Sequence, residues 1–401
     1  MNNYNLDHLD KSSKWLFLIA ATFIVLIDVK NLYSLWQLDP SGLTLGIEHE
    51  NKLPYWDFSN LWTGALFARE GNLSWLFDVQ TYREELDALF GVNLERQEWS
   101  YPPHILLVGT PLSYLPIFWA YILWTVGGLI AFAFALRVFE LNRYIYFFVL
   151  MSPAIWLSVL LGQNGAIVAA LFIGGLHYSD KKPILAGILF GLLTMKPHLG
   201  ILIPFILMMS GNWRTFFSAA GTTILLILAT YLMFGFEVWQ GFFEVTRPLM
   251  TSILEAEFPA AYHVNMVTAF GLARSMGADI LASYGLQIIF FIISIGFAMW
   301  IWRAGSEIGK NKRIILTGLC AIVATPYAYT YDGAIYYLAV AWYLTNTKKP
   351  NIVFIAVLWL LPMMWQKVIE LQLPAAGVLL ISTMIYLVYK TDEKAHNSIT
   401  S

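Results

Sequence analysis

The feature that most constrains this chain is a succession of apolar runs of helical length, roughly twelve of them. They fall at about 15–36, 117–138, 144–161, 164–179, 183–195, 197–211, 214–234, 280–302, 313–325, 332–346, 351–366 and 374–390. A helix crosses a bilayer core of about 30 Å in about 20 residues, and it satisfies its own backbone polar groups as it does so. Composition agrees: of 401 residues, 58% are hydrophobic and 12% charged. A soluble domain is about a quarter charged. The 16 Trp and 21 Tyr suit a protein with two membrane–water interfaces. The expectation is an all-α polytopic membrane protein, with residues 1–401 forming a single integral membrane domain.

A net charge of −2 without a basic tract gives no reason to expect a nucleic-acid partner. The lone Cys320 cannot form an internal disulfide. Lys11 and Lys14 precede an apolar run from Trp15 to Ile27, as in a signal peptide. No small-residue cleavage site follows, so this reads as an uncleaved first span.

Basic residues orient the spans. With the N-terminus inside, short inner segments hold Lys11, Lys14, Arg137, Arg143, Lys181, Lys182, Arg214, Arg303, Lys310, Lys312, Arg313, Lys348, Lys349, Lys390 and Lys394, which is 15 of the 24. The polar interruptions "YWDF" (55–58), "YPP" (101–103), "LGQNG" (161–165), "MKPH" (195–198) and "TPYAYTYDG" (325–333) then all fall at outer ends of spans. So do two long loops, about 37–116 and 235–279. Within the first, 103–115 is apolar but short and broken by Pro111, and reads as a segment that dips and returns to the same side. "DFSNLWTGALFARE" (57–70) places Leu61, Trp62, Ala65, Leu66 and Ala68 on a stripe, as in an amphipathic helix on the membrane surface capped by Asp57 or Ser59. "DVQTYREELDALFG" (78–91) reads as a second helix.

Chemistry is expected at that outer boundary. Asp57 sits among Tyr55, Trp56 and Phe58. It can serve as a helix cap, as a general base with a pKa raised by desolvation, or as both. Lys196 and His198 flank a proline between two apolar runs. A cation at the hydrocarbon edge is costly without a partner, and a lipid-linked phosphate is one such partner. Arg274 ends an apolar run and is a second candidate phosphate ligand, whereas Arg247 reads as surface charge. Gln163 and Asn164 can close helix ends or bind sugar hydroxyls. Asp332 lies among Tyr327, Tyr329, Tyr331, Tyr336 and Tyr337, where it can pair with Lys196 or bind a sugar. Asp28, in the first span, is assigned no role. No paired His at ligand spacing, P-loop, dinucleotide fingerprint or G-x-S-x-G is present, so no metal, cofactor or ATP is expected.

Taken in order, "YWDFSNLWTGALFAREG", "WSYPPHILLVGTPLSYLP", "LGQNGAIVAALFIGG", "LAGILFGLLTMKPHLGILIP" and "ATPYAYTYDGAIYY" resemble the motif series of glycosyltransferase family 87 over about 55–345. That family is polytopic and of GT-C type, typified by polyprenyl-phosphate-mannose-dependent α-mannosyltransferases. The resemblance implies a GT-C fold with about twelve transmembrane helices and outer-face juxtamembrane helices. It implies inverting transfer from a polyprenyl-phosphate sugar to a hydroxyl of a glycolipid or glycan on the outer face of the cell membrane. Asp57 matches the first-loop aspartate that acts as general base, and Lys196 matches the Lys-Pro turn and is expected to stabilise the leaving phosphate. Substrate contacts are then expected from Trp56, Tyr101, Gln163, Asn164, Tyr329 and Asp332, and donor-phosphate contacts from Lys196, His198 and Arg274. The mannosyltransferase members tend to carry histidine in the last motif. Here it reads Tyr329-Thr330-Tyr331-Asp332, so no histidine contact carries over; mannose is the default donor sugar and others stay open.

The competing class is a flippase or transporter of lipid-linked sugars, which wants polar groups at the bilayer midplane. The spans are nearly free of central charge apart from Asp28, and the motifs share one face, which favours an enzyme. A glycan polymerase or ligase on the same fold is a third reading.

Overall fold

The computed structural model describes residues 18, 22, 56–90, 97–141, 143–347, 350–360 and 377–391. Most of the expected first span, Asp28, Lys11, Lys14, Lys348, Lys349 and Lys394 lie outside them. The described residues are helical, with no strand among them and a single isolated bridge between Met266 and Tyr329.

Three helices are long and apolar enough to cross a membrane: Ile117–Phe139, Trp213–Phe234 and Ile280–Trp302. A fourth crossing forms if Arg143–Leu150 and Pro153–Leu161, bent by 43° at their junction, act as one span. The expectation of about twelve spans is thus met by three or four among the described residues. The other apolar runs are shorter helices, such as Gly165–Tyr178, Pro183–Leu193 and Gly377–Lys390. At 1.5 Å per residue a 14-residue helix covers about 21 Å, short of a full crossing. Proline sets several of the boundaries. Pro153 and Pro183 open their helices, where the missing N–H is no loss, and Pro197 interrupts the run after Leu193.

Side-chain caps place the remaining ends. Thr268 accepts from Gly271 N at 3.1 Å, and Asp279 Oδ1 accepts from Ala282 N at 2.7 Å at the start of Ile280–Trp302. Within that long helix, buried Gln287 donates to the Val323 carbonyl at 3.0 Å and accepts from Phe270 N at 3.1 Å. One amide so ties three helices together in a medium where unpaired polar groups are costly. The lipid-facing helix Trp213–Phe234 leaves Phe217, Ile224, Leu225 and Leu232 exposed, as apolar chains are in hydrocarbon.

The stretch expected to lie flat on the membrane is instead enclosed. In helix Trp56–Arg69 every residue from Phe58 to Ala68 is buried. A surface helix keeps a polar face in water; here the polar positions Asn60 and Thr63 are shielded along with the stripe. The helix packs against Leu106–Leu112 and against Ile117–Leu136, where Phe58 meets Tyr121 edge to face at 5.9 Å. The second helix, Val79–Phe90, is amphipathic as expected, burying Tyr82, Leu86 and Phe90 at four-residue spacing. The 103–115 segment forms short helices through Leu112, with Pro111 inside.

Helices Gly165–Tyr178 and Lys310–Ala324 separate two polar regions. At one end Lys310 Nζ donates to the His177 carbonyl at 2.6 Å and pairs with Asp180. At the other end the two helices abut "LGQNG" and "TPYAYTYDG". Lys310 and Asp180 therefore lie at the end of these helices opposite the motifs that promise chemistry.

Candidate active site

The site is built from four chain segments meeting at one end of the bundle. Asp57 stands in the first turn of helix Trp56–Arg69, where the free N–H groups and helix dipole favour a negative charge. Its Oδ2 accepts from Gln163 Nε2 at 2.8 Å. The same amide's Oε1 accepts from Lys196 Nζ at 3.3 Å, and Lys196 Nζ lies 2.7 Å from Asp332 Oδ1. Asp332 Oδ2 accepts from Tyr329 N at 3.1 Å. A continuous chain of polar contacts so runs from Asp57 through Gln163 and Lys196 to Asp332. It joins residues 275 positions apart in the sequence, Asp57 to Asp332.

The glycines of "LGQNG" explain how the chain closes. Helix Pro153–Leu161 ends at Gly162, whose φ of +67° is left-handed. Gly162 N donates to Val159 O at 3.2 Å and Gln163 N to Ser158 O at 2.8 Å, the pair of bonds that satisfies a helix C-terminus when glycine follows it. A Cβ on Gly162 would stand 2.4 Å from Phe58 Cβ, so only glycine lets the Asp57 helix approach this closely. A Cβ on Gly165 would stand 2.3 Å from the Tyr331 carbonyl, which already accepts from Ser158 Oγ at 3.0 Å. One glycine thus admits the Asp57 segment, the other admits the Asp332 turn, and Gln163 sits between them.

The Asp57 carboxyl is partly buried, and burial pushes its pKa up to about 6. The Gln163 hydrogen bond and the charge of Lys196 pull in the other direction without cancelling the rise. A carboxyl titrating there is poised to accept a proton near neutral pH. Lys196 lies over the Tyr331 ring at 4.8 Å from its centroid, and Tyr329 stacks on Tyr331 at 5.4 Å. An ammonium carries three N–H donors. Asp332 and Gln163 take two, which leaves one for an incoming anion.

Other sequence candidates fall on or off this chain. The Tyr101 hydroxyl donates to the backbone carbonyl of Asp57 at 3.2 Å and so fixes the segment that carries the acid. Asn164, buried next to Gln163, has its Nδ2 4.0 Å from Met195 sulfur, and its Oδ1 is buried without a partner. His198 packs its ring 6.2 Å from Tyr327, with Nε2 buried and unpartnered. Trp56 opens the helix, but its side chain lies outside the described residues. Arg274 does not join the cluster. Its guanidinium donates to the carbonyls of Ala278 at 2.9 Å and Ala256 at 3.2 Å, closing the end of helix Ala269–Ser275. Three participants were not singled out from sequence: Ser158, Gly162 and Gly165. The glycines act through backbone approach and Ser158 through its Oγ bond to the Tyr331 carbonyl, which spacing alone does not reveal. Among the described residues no three His, Cys, Asp or Glu side chains converge as a metal-ligand set.

No curated protein and no solved structure matches the chain. The model of glycosyltransferase family 87 matches residues 99–326. That stretch contains Tyr101, Gln163, Asn164, Lys196, His198 and Arg274; Asp57 precedes it, and Tyr329 and Asp332 follow it. It is more than half of the 401 residues, and the chain belongs to glycosyltransferase family 87.

Proposed function

We propose that this glycosyltransferase is an inverting GT-C enzyme, with about twelve transmembrane helices in the full chain and both termini in the cytoplasm. It moves a sugar, mannose by default, from a polyprenyl-phosphate donor to a hydroxyl of a glycolipid or glycan acceptor at the outer face of the cell membrane. The observation that carries this reading is the polar chain from Asp57 to Lys196 through Gln163, which sets a base and a cation on either side of one amide.

Asp57 removes the proton from the acceptor hydroxyl as the oxygen attacks the anomeric carbon from the face opposite the phosphate. The bond between that carbon and the phosphate oxygen breaks, and its electron pair leaves with the polyprenyl phosphate. Lys196 faces the charge that grows on the phosphate, and its value lies in being in place before that charge appears. Asp57 then gives its proton to water. Asp332 holds the ammonium by one N–H and Tyr331 supports it from below. Trp56, Tyr101, Asn164, His198 and Tyr329 contribute to substrate binding around this axis. Arg274, tied to two carbonyls, acts on the donor phosphate only if those bonds open.

The test uses the full-length protein in nanodiscs with radiolabelled polyprenyl-phosphate mannose and a glycolipid extract of the source cell. Label passing into new glycolipid without any nucleotide sugar is the expected result. Label that instead crosses the bilayer of sealed vesicles, with no transfer, sinks the enzyme reading in favour of a flippase.

A further inference from the structure

Resting on that reading, we infer that Glu98 and Tyr262 form the acceptor-side wall of the site, presenting a tyrosine ring and hydroxyl backed by a carboxylate to a neutral saccharide.

The placement follows from backbone contacts. Asn60, one helical turn beyond Asp57, donates Nδ2 to the Glu98 carbonyl at 2.7 Å. Three residues further on, Tyr101 donates to the Asp57 carbonyl at 3.2 Å. Residues 98–101 are therefore laid along the first turn of the Asp57 helix, with Glu98 only 5% exposed. The Glu98 carboxylate is engaged on both oxygens. Oε1 pairs with Arg83, and Oε2 accepts from the Tyr262 hydroxyl at 3.5 Å. Arg83 balances the buried charge, so Glu98 makes no demand for a further cation.

Tyr262 belongs to the other long loop. Its hydroxyl reaches a buried glutamate, yet the residue is 38% exposed, so a large part of the side chain stays open to an incoming molecule. A few residues on, Val267 N donates to the Ala328 carbonyl at 3.1 Å and Met266 bridges to Tyr329. A single loop therefore touches the Asp57 side through Tyr262 and the Asp332 turn through Met266 and Val267. Burial and then the neighbouring charges of Glu98 and Asp57 push the Tyr262 hydroxyl well above its usual titration range. It stays protonated, donating to Glu98 and offering its lone pairs to a sugar hydroxyl. An aromatic ring with a polar tip is suited to such a half-wet contact.

Charge sorts the two substrates. Asp57 and Glu98 lie on this side, while Lys196 lies beyond Gln163. With Glu98 balanced by Arg83, the Asp57 carboxylate is the net charge on this side; it favours a polyhydroxyl ligand and disfavours an anionic one, leaving the phosphate to the lysine side.

The test is saturation-transfer NMR on the full-length protein in nanodiscs. Methyl α-mannopyranoside is the neutral probe and glucuronic acid the anionic one. Tyr262→Phe keeps the ring and removes the hydroxyl. Expected are binding of the neutral glycoside by the wild type, discrimination against glucuronate, and about tenfold weaker glycoside binding in Tyr262→Phe, the size of one lost hydrogen bond. In the transfer assay the acceptor KM rises about tenfold while donor KM and kcat hold. No neutral-glycoside binding by the wild type, unchanged binding in Tyr262→Phe, or donor and acceptor KM rising together each overturn the proposal, the last by marking Tyr262 as a mere strut. The glycoside readout does not use the donor. Weaker binding in Tyr262→Phe alongside absent wild-type transfer would therefore sink the proposed reaction and leave the acceptor wall standing.

Discussion

Lys196 Nζ lies 2.7 Å from Asp332 Oδ1, and the aspartate side chain of that pair is fully shielded from solvent. Removing one member of a buried pair leaves an uncompensated charge and costs about 3–5 kcal/mol, whereas replacing both by apolar groups is often neutral. Asp332→Ala should therefore lower the thermal unfolding midpoint in nanodiscs, and Asp332→Leu combined with Lys196→Met should recover it while transfer stays absent. An Asp332→Ala protein that unfolds at the wild-type midpoint would show that the pair adds nothing to the fold.

Asp57→Asn keeps the shape of the side chain and an oxygen to accept from Gln163. The variant should fold normally and bind both substrates. Turnover should drop by at least about 100-fold, the usual worth of a positioned base. Near wild-type transfer in this variant removes Asp57 from the mechanism.

The pH profile provides a separate check. With the Asp57 carboxyl titrating at about 6, kcat/KM should fall as pH drops through that value, because the protonated acid cannot take a proton. The Gln163 bond favours the charged form, so its loss moves the pKa further upward. Gln163→Leu should shift the acid limb to higher pH. A limb that stays in place, or moves to lower pH, breaks the assignment of that limb to Asp57.

Much of this architecture is legible in the sequence, and the remainder is hidden for definable reasons. The all-helical membrane class follows from apolar run length, while the Lys196–Asp332 pairing was one of two readings open for Asp332, the other being a sugar contact. The enclosure of the Trp56–Arg69 helix was not readable. Leu61, Trp62, Ala65 and Leu66 form the stripe of a surface helix, while the small or short polar residues Ser59, Asn60, Thr63 and Gly64 opposite them look solvated. In the fold they accept close neighbours: Asn60 bonds the Glu98 carbonyl, and Trp99 lies against Gly64. Polarity alone does not distinguish a wet face from one that is dry and hydrogen-bonded. Among the described residues three or four runs form full-length spans, and proline and glycine divide several others into shorter helices.

Gly162→Ala should damage the site from a distance. The residue adopts φ +67°, a conformation costing roughly 1–2 kcal/mol with a side chain, and its Cβ would press on Phe58 at 2.4 Å. The Asp57 helix must move outward, so kcat should fall more than donor KM changes. A Gly162→Ala enzyme with unchanged kcat would mean that the Asp57–Gln163 contact is not needed for turnover.

His263 supplies a stability prediction. Its Nδ1 accepts from Ala260 N at 3.0 Å, and Nε2 donates to the Leu254 carbonyl at 3.0 Å, which requires the neutral ring. Burial holds its pKa below the usual histidine range; the Leu254 bond opposes this and the Arg274 charge adds to it. The unfolded loop therefore takes up a proton more readily than the folded one, and stability contributed here is lost as pH falls below about 6.5. The protection factor of the Ala260 amide, its exchange corrected for the intrinsic pH dependence, should fall on acidification in the wild type and lose that dependence in His263→Gln. A protection factor that is flat with pH in the wild type contradicts the assigned ring state.

The amide of Gln163 has a further consequence. An ammonium has no lone pair to offer and a carboxylate has no proton, so this group cannot turn around while both neighbours are ionised. Reversal would set its N–H groups against Lys196 and its oxygen against Asp57. The side chain therefore behaves as a keyed plug between the acid and the cation, and the two ends of this polar chain cannot be interchanged. Protonation of Asp57 would remove one of the two constraints, because a carboxylic acid can donate to the amide oxygen; the Lys196 ammonium would still hold the oxygen on its own side.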